Sequence, residues 1–153
     1  MIEKHYWKIK QAALDIDLCV VSKHHSIEEI QSYYDAGERI FAENRATELI
    51  FKADTLPKDI AWHYIGHLQR NKVKEILPIV SCIQSLDNIA LAKVIEKEAT
   101  KLNRTVNVLI ELHLADEDTN KSGLDPADVD MFTNFLLQEC PHISIQGLMT
   151  MGP

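Results

Sequence analysis

The sequence contains little glycine, few cysteines and no long hydrophobic run. Its 153 residues include five glycines, and none follows the first apolar strand candidate, where a nucleotide-binding fold has its glycine-rich phosphate turn. No apolar run reaches the roughly 20 residues that a transmembrane helix needs. The net charge is −7, which argues against nucleic acid or an anionic membrane surface as a partner, because both select for basic patches.

The three cysteines, Cys19, Cys82 and Cys140, lie far apart and form no C-x-x-C pair. Their odd number and wide spacing are typical of reduced thiols in a cytosolic protein. Cys19 and Cys82 each belong to an apolar strand candidate, where cysteine packs as a small hydrophobic residue. We therefore predict a cytoplasmic location.

Short apolar runs recur along the chain, and a polar-capped amphipathic stretch follows each of them. They begin about 20 to 24 residues apart, except for a longer last interval, which is the spacing of successive βα units. The runs are Leu18–Val21, Arg39–Ala42, Trp62–Ile65, Cys82–Ser85, Val106–Leu112 and Ile143–Met149. A leading helix is predicted at about residues 2–14, from the helical spacing of Ile2, Tyr6, Ile9 and Ala13.

Helix start and stop signals stand between the apolar runs. Ser26 and Glu29 form an S-x-x-E capping box, and Gly37 stands where a glycine would end that helix. Asp87 is predicted to cap the next long helix, and Asp125–Pro126 combines an N-cap with proline at the first helical position.

Alternating βα units predict an α/β protein with a parallel sheet. A doubly wound sheet and a TIM-type (β/α)₈ barrel compete, and the missing glycine-rich turn favours the barrel. Six strand candidates supply about six of its eight units, so residues 1–153 are predicted to form a single incomplete barrel domain. The chain stops directly after an apolar strand. We expect either that the native product continues beyond Pro153 or that the edges at Leu18–Val21 and Ile143–Met149 associate with partners.

One lysine stands at the end of a buried strand, because Leu18–Val21 runs directly into Ser22 and Lys23. A partly desolvated amine at a barrel mouth loses some preference for its protonated form, and the neutral amine can form a Schiff base with a carbonyl. Alternatively, the side chain reaches solvent and has no chemical role. Other residues predicted at strand ends are mostly polar and are Glu43, Asn44, Gly66, His67, Ser85, Asp87, His113 and Met149.

Three further groups have simple structural alternatives. His63 and His67 are four apart, but on a strand that spacing separates them by about 13 Å, so we predict no metal site. The basic stretch 67–74 either binds an anion at a helix start or forms a solvated helix face. Lys121, Ser122 and Gly123 lie in a polar loop after the fifth strand, where either a simple turn or substrate contacts are expected.

Six motifs occur in a fixed order. They are VVSK ending at Lys23, AEN at 42–44, WHYIGHLQRNK at 62–72, QSLD at 84–87, NKSG at 120–123 and GLMTM at 147–151. This ordered set resembles the pyridoxal phosphate homeostasis proteins, and the stretch H-x-I-G-H-L-Q-x-N-K is its most specific part. The resemblance covers nearly the whole chain. It implies a fold-type III barrel that binds pyridoxal 5′-phosphate (PLP), related to the N-terminal domain of alanine racemase.

The resemblance implies that Lys23 holds PLP as an internal aldimine, a Schiff base. Asn44 and Met149 would line the ring, with His67 and Ser85 close by. The resemblance implies a cofactor carrier or buffer, without established turnover, that affects vitamin B6 and amino-acid balance, so no catalytic residue is predicted. PLP and apo forms of PLP-dependent enzymes would be the partners, with no nucleic acid and no membrane.

The sequence departs from that family at several positions. Ala42 replaces a glycine, Arg45 a tyrosine, His113 an asparagine and Ser26 a proline. The last two strands of the family and their phosphate-binding segment have no counterpart in the 153 residues. Three hypotheses therefore stay open: a PLP-binding homeostasis protein, which we favour; a PLP racemase or Schiff-base lyase, in which His67 would transfer protons; and a fragment that binds no cofactor.

Overall fold

The computed structural model describes residues 2–114 and 122–152, in which six strands alternate with six helices. The strands are β1 (Val20–Val21), β2 (Ile40–Glu43), β3 (Ala61–Tyr64), β4 (Val80–Leu86), β5 (Val106–Leu112) and β6 (Ile143–Thr150). The helices are α1 (Lys4–Ala12), α2 (Ile27–Asp35), α3 (Ala46–Thr55), α4 (Val73–Ile76), α5 (Ile89–Lys101) and α6 (Val129–Glu139). Short 3₁₀ turns, Arg70–Lys72 and Pro126–Asp128, lead into α4 and α6.

The strands form one parallel sheet in the order β1-β2-β3-β4-β5-β6. A doubly wound sheet reverses its strand order at a switch point, whereas a (β/α) barrel adds each strand beside the previous one. The sequential order therefore agrees with the barrel-type prediction. Within the described residues, β1 and β6 form the two edges of the sheet, at the runs predicted for those places.

One face of the sheet packs against the helices and forms the hydrophobic core, with the two-residue repeat of a strand in β2 and β3 and an irregular spacing in β4, where the ladder carries register shifts. Its strand members include Phe41, Trp62, Tyr64, Val80, Val108 and Ile110, and its helix members include Leu49, Ile76, Leu91, Ile95 and Leu136. The opposite face of the sheet is more polar. There, Gln84 Nε2 lies 2.8 Å from His63 Nδ1, and Gln146 Nε2 donates to Asn107 Oδ1 at 3.3 Å.

Three of the predicted helix signals are confirmed. Ser26 Oγ accepts from the Glu29 amide at 3.2 Å, and Glu29 Oε2 accepts from the Ser26 amide at 2.8 Å, which completes the capping box. Gly37 has a φ of 108° directly after the end of α2, a conformation that glycine adopts without penalty. Asp125 caps the 3₁₀ turn that leads into α6.

The prediction for Asp87 is wrong, because the neighbouring Asn88 caps α5. Asn88 Oδ1 accepts from the Leu91 amide at 2.8 Å. Asp87 instead accepts a 3.0 Å hydrogen bond from the amide of Gly123 and thereby joins the end of β4 to the loop after β5. Both residue types are good N-caps, so the tertiary partner decides which one takes the role.

The leading helix is shorter than predicted, and only part of its predicted apolar face is buried. Tyr6 is buried, with its ring at 5.1 Å from that of Tyr33, whereas Ile9 is exposed. In the described part of the chain, no helix has the length and apolar character needed to cross a bilayer.

Candidate cofactor site

The carboxyl ends of the parallel strands form the mouth of the barrel-type sheet, where such folds position their reactive groups. Val21 pairs with Ala42 and Glu43 pairs with Tyr64. Lys23 follows the end of β1 by two residues, and Asn44 directly follows the end of β2. The predicted residues Lys23 and Asn44 are therefore both at this end of the sheet.

Lys23 lies in the turn between β1 and α2, and its side chain is exposed. Within the described residues, no hydrogen bond or ion pair involves its amine. The expectation of a partly desolvated lysine is therefore wrong for this chain. His24 follows with a φ of 65°, a left-handed conformation that is uncommon for residues other than glycine.

Two predicted site residues carry buried polar atoms without a partner in the described structure. They are Asn44 Oδ1, after the end of β2, and Ser85 Oγ, near the end of β4. Ser85 is only 2% exposed. Because most buried polar atoms in proteins have a hydrogen-bond partner, such atoms at a strand end indicate a place where a ligand can supply one.

Gly66 allows β3 and its following loop to approach Asn44 closely. A Cβ atom on Gly66 would lie 2.4 Å from the carbonyl oxygen of Asn44, so only glycine fits without a backbone shift. Tyr64 donates to the same carbonyl at 3.1 Å and to the His67 carbonyl at 3.4 Å. These contacts hold the backbone of Asn44 and that of His67, whose side chain is exposed, around the end of β3.

Glu111 is a residue of this region that the sequence analysis missed. It is 5% exposed on β5 and pairs in register with Met149 of β6. Burial raises the pKa of Glu111, the Asp87 charge adds to this effect, and the hydrogen bond from Ser122 and the nearby His67 oppose it. Glu111, Asp87 and His67 are therefore close enough to interact electrostatically. A sequence signal for Glu111 exists, because it directly follows the core residue Ile110. Side chains alternate between the two faces of a strand, so Glu111 is expected to face away from the helices.

Glu43 does not belong to the mouth, in contrast to the prediction. It is fully buried and lies on the same side of β2 as the core residue Phe41, where Lys52 of α3 binds its Oε1 atom at 2.5 Å. A run of residues at a strand end alternates between the two faces, so Asn44 and its neighbour Glu43 point to opposite sides.

The end of the loop after β5 contacts the neighbouring strands. Lys121 lies outside the described residues. Ser122 Oγ donates to Glu111 Oε1 at 3.0 Å, and the Ser122 carbonyl lies 3.2 Å from His113 Nδ1. Together with the contact between Gly123 and Asp87, these bonds fasten the end of the loop to β4 and β5.

His63 pairs with Gln84 and not with a metal-ligand partner. Burial lowers the pKa of His63, which favours the neutral ring. In residues 2–114 and 122–152, no three His, Cys, Asp or Glu side chains are grouped as metal ligands.

Two clefts open beside the mouth and share His67 and Gln69. The smaller, about 300 Å³, extends from Asn44 and Thr47 to Lys72. The larger, about 780 Å³, lies between the 67–71 segment and the start of α5. Volumes of 300 to 1,000 Å³ are common for small-molecule sites, roughly the range of both clefts. Lys23 lines neither cleft and stands at the adjacent strand end.

The whole chain, residues 1–153, matches the family model described as alanine racemase, N-terminal domain. The chain belongs to this family. It is also similar to the pyridoxal phosphate homeostasis protein of Aquifex aeolicus, with 39% identity over 127 residues that cover 82% of this chain. The match covers 55% of the Aquifex protein, so the chain spans about half the length of this curated relative.

Solved structures agree with this assignment. PipY of Synechococcus elongatus PCC7942, determined without PLP, matches with a TM-score of 0.91 and 33% identity, covering 100% of this chain and 72% of PipY. The form of PipY with PLP bound gives a TM-score of 0.83 and 31% identity over 97% of this chain and 70% of that one. Alanine racemase of Clostridium difficile 630 shares the fold, with a TM-score of 0.73 and 14% identity over 96% of this chain and 39% of that chain.

Proposed function

We propose that this chain binds PLP through a Schiff base on Lys23 and acts as a cofactor carrier in vitamin B6 and amino-acid homeostasis. The observation that carries the proposal is an exposed primary amine just after the carboxyl end of β1, at the end of the sheet where Asn44 follows β2. Its support from relatives is the 31% identity to PipY, whose structure has been solved with PLP bound.

The chemistry needs an amine, an aldehyde and no further reactant. The neutral Nζ of Lys23 would add to the aldehyde carbon of PLP, and a C=N bond would form as the aldehyde oxygen leaves as water with two protons of the amine. The reverse reaction, hydrolysis, releases the cofactor intact. A reversible bond of this kind suits storage and delivery.

The residues around Lys23 fit such a ligand. Asn44 Oδ1 and Ser85 Oγ are buried atoms that can pair with polar groups of a bound ring, and the clefts beside His67 give room for it. We propose that Asn44 and Met149 contact the ring and that His67 and Ser85 lie at its edge. None of these residues needs to take part in turnover.

We further propose that the chain acts in the cytoplasm and supplies PLP to apo forms of PLP-dependent enzymes. Its three cysteines are free, which supports a reducing compartment. The names of its relatives describe homeostasis and not a reaction, which supports a carrier without catalytic turnover.

The experiment is a PLP titration of the 153-residue chain followed by absorption, with borohydride reduction and peptide mapping. We expect a Schiff-base band and a phosphopyridoxyl label on the peptide that contains Lys23. Lys23→Arg should abolish both, because it keeps the positive charge but cannot form the C=N bond.

Lys72→Arg is the matched control, since Lys72 lines the smaller cleft and is a second primary amine beside the mouth. It should leave the label on Lys23 unchanged. A label that persists in Lys23→Arg, or that lies on Lys72 or another lysine, would contradict the proposal. Racemisation or retro-aldol cleavage at a rate above that of free PLP would instead favour an enzyme.

A further inference from the structure

We propose that Lys52, on α3, is a positioning residue that holds the backbone next to Lys23. It would do so by binding the carbonyl group of Ser22, the residue before Lys23. The inference rests on the proposed role of Lys23 in binding PLP, and it adds a residue that contacts neither the mouth nor the clefts.

The strand that carries Lys23 is held by few sheet contacts. β1 is two residues long, with Val20 paired to Phe41 and Val21 paired to Ala42. One more backbone bond, from the Ser22 amide to the Ala42 carbonyl at 2.9 Å, follows before the chain turns. The position of Lys23 therefore depends on contacts beyond the ladder.

Lys52 of α3 supplies such a contact from the side of the sheet that packs against the helices. Its Nζ atom donates to the Ser22 carbonyl at 2.7 Å, to Glu43 Oε1 at 2.5 Å and to Glu48 Oε2 at 3.3 Å. An ammonium group has three N–H donors, so these three acceptors satisfy it. Lys52 is 5% exposed, and a buried, fully paired ammonium has one well-defined position.

The side chain of Ser22 fixes the same residue from another direction. Its hydroxyl lies 2.8 Å from Glu43 Oε1 and 3.0 Å from the Ala42 carbonyl. Both the carbonyl and the hydroxyl of Ser22 are thus joined to Glu43 or to its partner Lys52. The direction in which the chain enters Lys23 is fixed by this buried group.

The turn after Lys23 closes on the carbonyl that Lys52 binds, because the His25 amide donates to the Ser22 carbonyl at 3.1 Å. Burial alone raises the pKa of Glu48, but the hydrogen bond and charge of Lys52 outweigh it. The Glu48 carboxylate is therefore a partner of Lys52 on the same helix. Because His24 has a left-handed φ, surrounding contacts must hold it there. Lys52 thus holds the Ser22 carbonyl on which the turn closes, and Glu48 holds Lys52.

A fixed turn reduces the ordering that PLP binding requires. Lys52 carries this effect through the backbone, since its charge is already paired with Glu43 and Glu48. The amine of Lys23 stays exposed in either case. Removing Lys52 should therefore weaken the binding of a ligand that needs the amine in one place, and should leave its reaction with a small reagent unchanged.

The test is the double variant Lys52→Met/Glu43→Gln, which removes the buried charges together. Replacing both members of a buried ion pair is far less destabilising than removing one. We expect PLP to bind about 10- to 100-fold more weakly, on the order of 1.4 kcal/mol for each factor of ten. Acetylation of Lys23 by acetic anhydride should stay within about twofold of wild type, and amide exchange at His24 and His25 should become faster.

Lys58→Met is the matched control. Lys58 also donates to backbone carbonyls, those of Ala53 and Asp54, but it is exposed and distant in sequence from the turn. Its PLP affinity should equal that of wild type. An unchanged affinity in the folded double variant, or an equal loss in Lys58→Met, would overturn the positioning role.

The design distinguishes failure of the proposed function from failure of the positioning role of Lys52. If wild type forms no adduct on Lys23, the proposed function fails regardless of Lys52, and faster exchange at His24 alone would not rescue it. If the double variant does not fold, Glu48→Gln tests the same positioning role by weakening one of the three acceptors of Lys52, with an expected loss of about two- to tenfold in PLP affinity. Unchanged affinity in Glu48→Gln would then overturn the proposal.

Discussion

The hydroxyl group of Tyr6 donates a 2.5 Å hydrogen bond to Oε1 of Glu38, and Lys10 donates to the same oxygen. Glu38 is 4% exposed and precedes β2, so one buried carboxylate joins α1 to the sheet. Burial, with the help of Glu38, raises the pKa of Tyr6 to about 12. The helix is therefore attached by a polar contact that depends on the charge of Glu38.

Glu38→Gln should lower the free energy of unfolding by roughly 1–3 kcal/mol at pH 7. Burial alone would raise the pKa of Glu38, but Lys10 and Tyr6 outweigh it and lower the pKa from its ordinary value of 4.5. A lowered folded-state pKa gives stability that is present above pH 4.5 and lost as the pH falls through the lowered value.

The difference between Glu38→Gln and wild type should therefore shrink in acid, which urea unfolding at a series of pH values measures. Glu139→Gln, an exposed carboxyl on α6, is the control and should change stability by less than about 0.5 kcal/mol at every pH. A difference that is constant with pH would show that packing, and not charge, joins α1 to the sheet.

Glu111→Gln should act in the opposite direction and stabilise the protein at pH 7, by roughly 1 kcal/mol. Because burial raises the pKa of Glu111, the folded state prefers the protonated form. Its contribution is most favourable below the ordinary pKa of 4.5 and is lost as the pH rises through the raised value. The gain in Glu111→Gln should disappear in acid, as measured by the same unfolding series. A destabilised variant at pH 7 would contradict this.

Ser85→Ala should separate binding from stability. The Ser85 hydroxyl has no partner among the described residues, so its removal should change the free energy of unfolding by less than about 0.5 kcal/mol. PLP affinity should fall about five- to tenfold, as for one lost hydrogen bond. Ser81→Ala, at the other end of β4, is the control and should change neither the free energy of unfolding nor the PLP affinity. Equal PLP affinity in Ser85→Ala and wild type would remove Ser85 from the site.

Gly66→Ala should lower the free energy of unfolding by roughly 1–3 kcal/mol, because a methyl group would force the Asn44 backbone to move. Since that backbone carries Asn44, PLP affinity should fall as well. Gly152→Ala is the control, as nothing lies within 4 Å of the added carbon. Thermal unfolding and PLP titration of both variants measure the two effects. Wild-type stability in Gly66→Ala would show that the contact relaxes easily.

The sequence was sufficient for the strands, because a buried parallel strand leaves a short apolar run between helix signals. Each predicted strand lies within two residues of the observed one, and Val106–Leu112 has the predicted bounds. The Ser26–Glu29 capping box was equally predictable, since both partners lie within one helical turn. Local rules decide features of this kind.

Contacts between distant residues were not predictable in the same way. Asp87 and Asn88 are equal as cap candidates, and only the Gly123 amide, 36 residues away, decides between them. The pair of Glu43 and Lys52 needs the register of β2 against α3, which no single motif encodes. The position of Lys23 at the strand end was predictable, whereas the contacts that fix its turn were not.

The sequential strand order has a consequence for the synthesis of the protein. Each strand pairs with the strand that left the ribosome just before it, so no pairing within the described sheet waits for a distant partner. Contacts that are close in sequence form quickly, because they close short loops. Each βα unit can therefore dock on the growing sheet during translation, and the turn that carries Lys23 is complete once α3 has emerged.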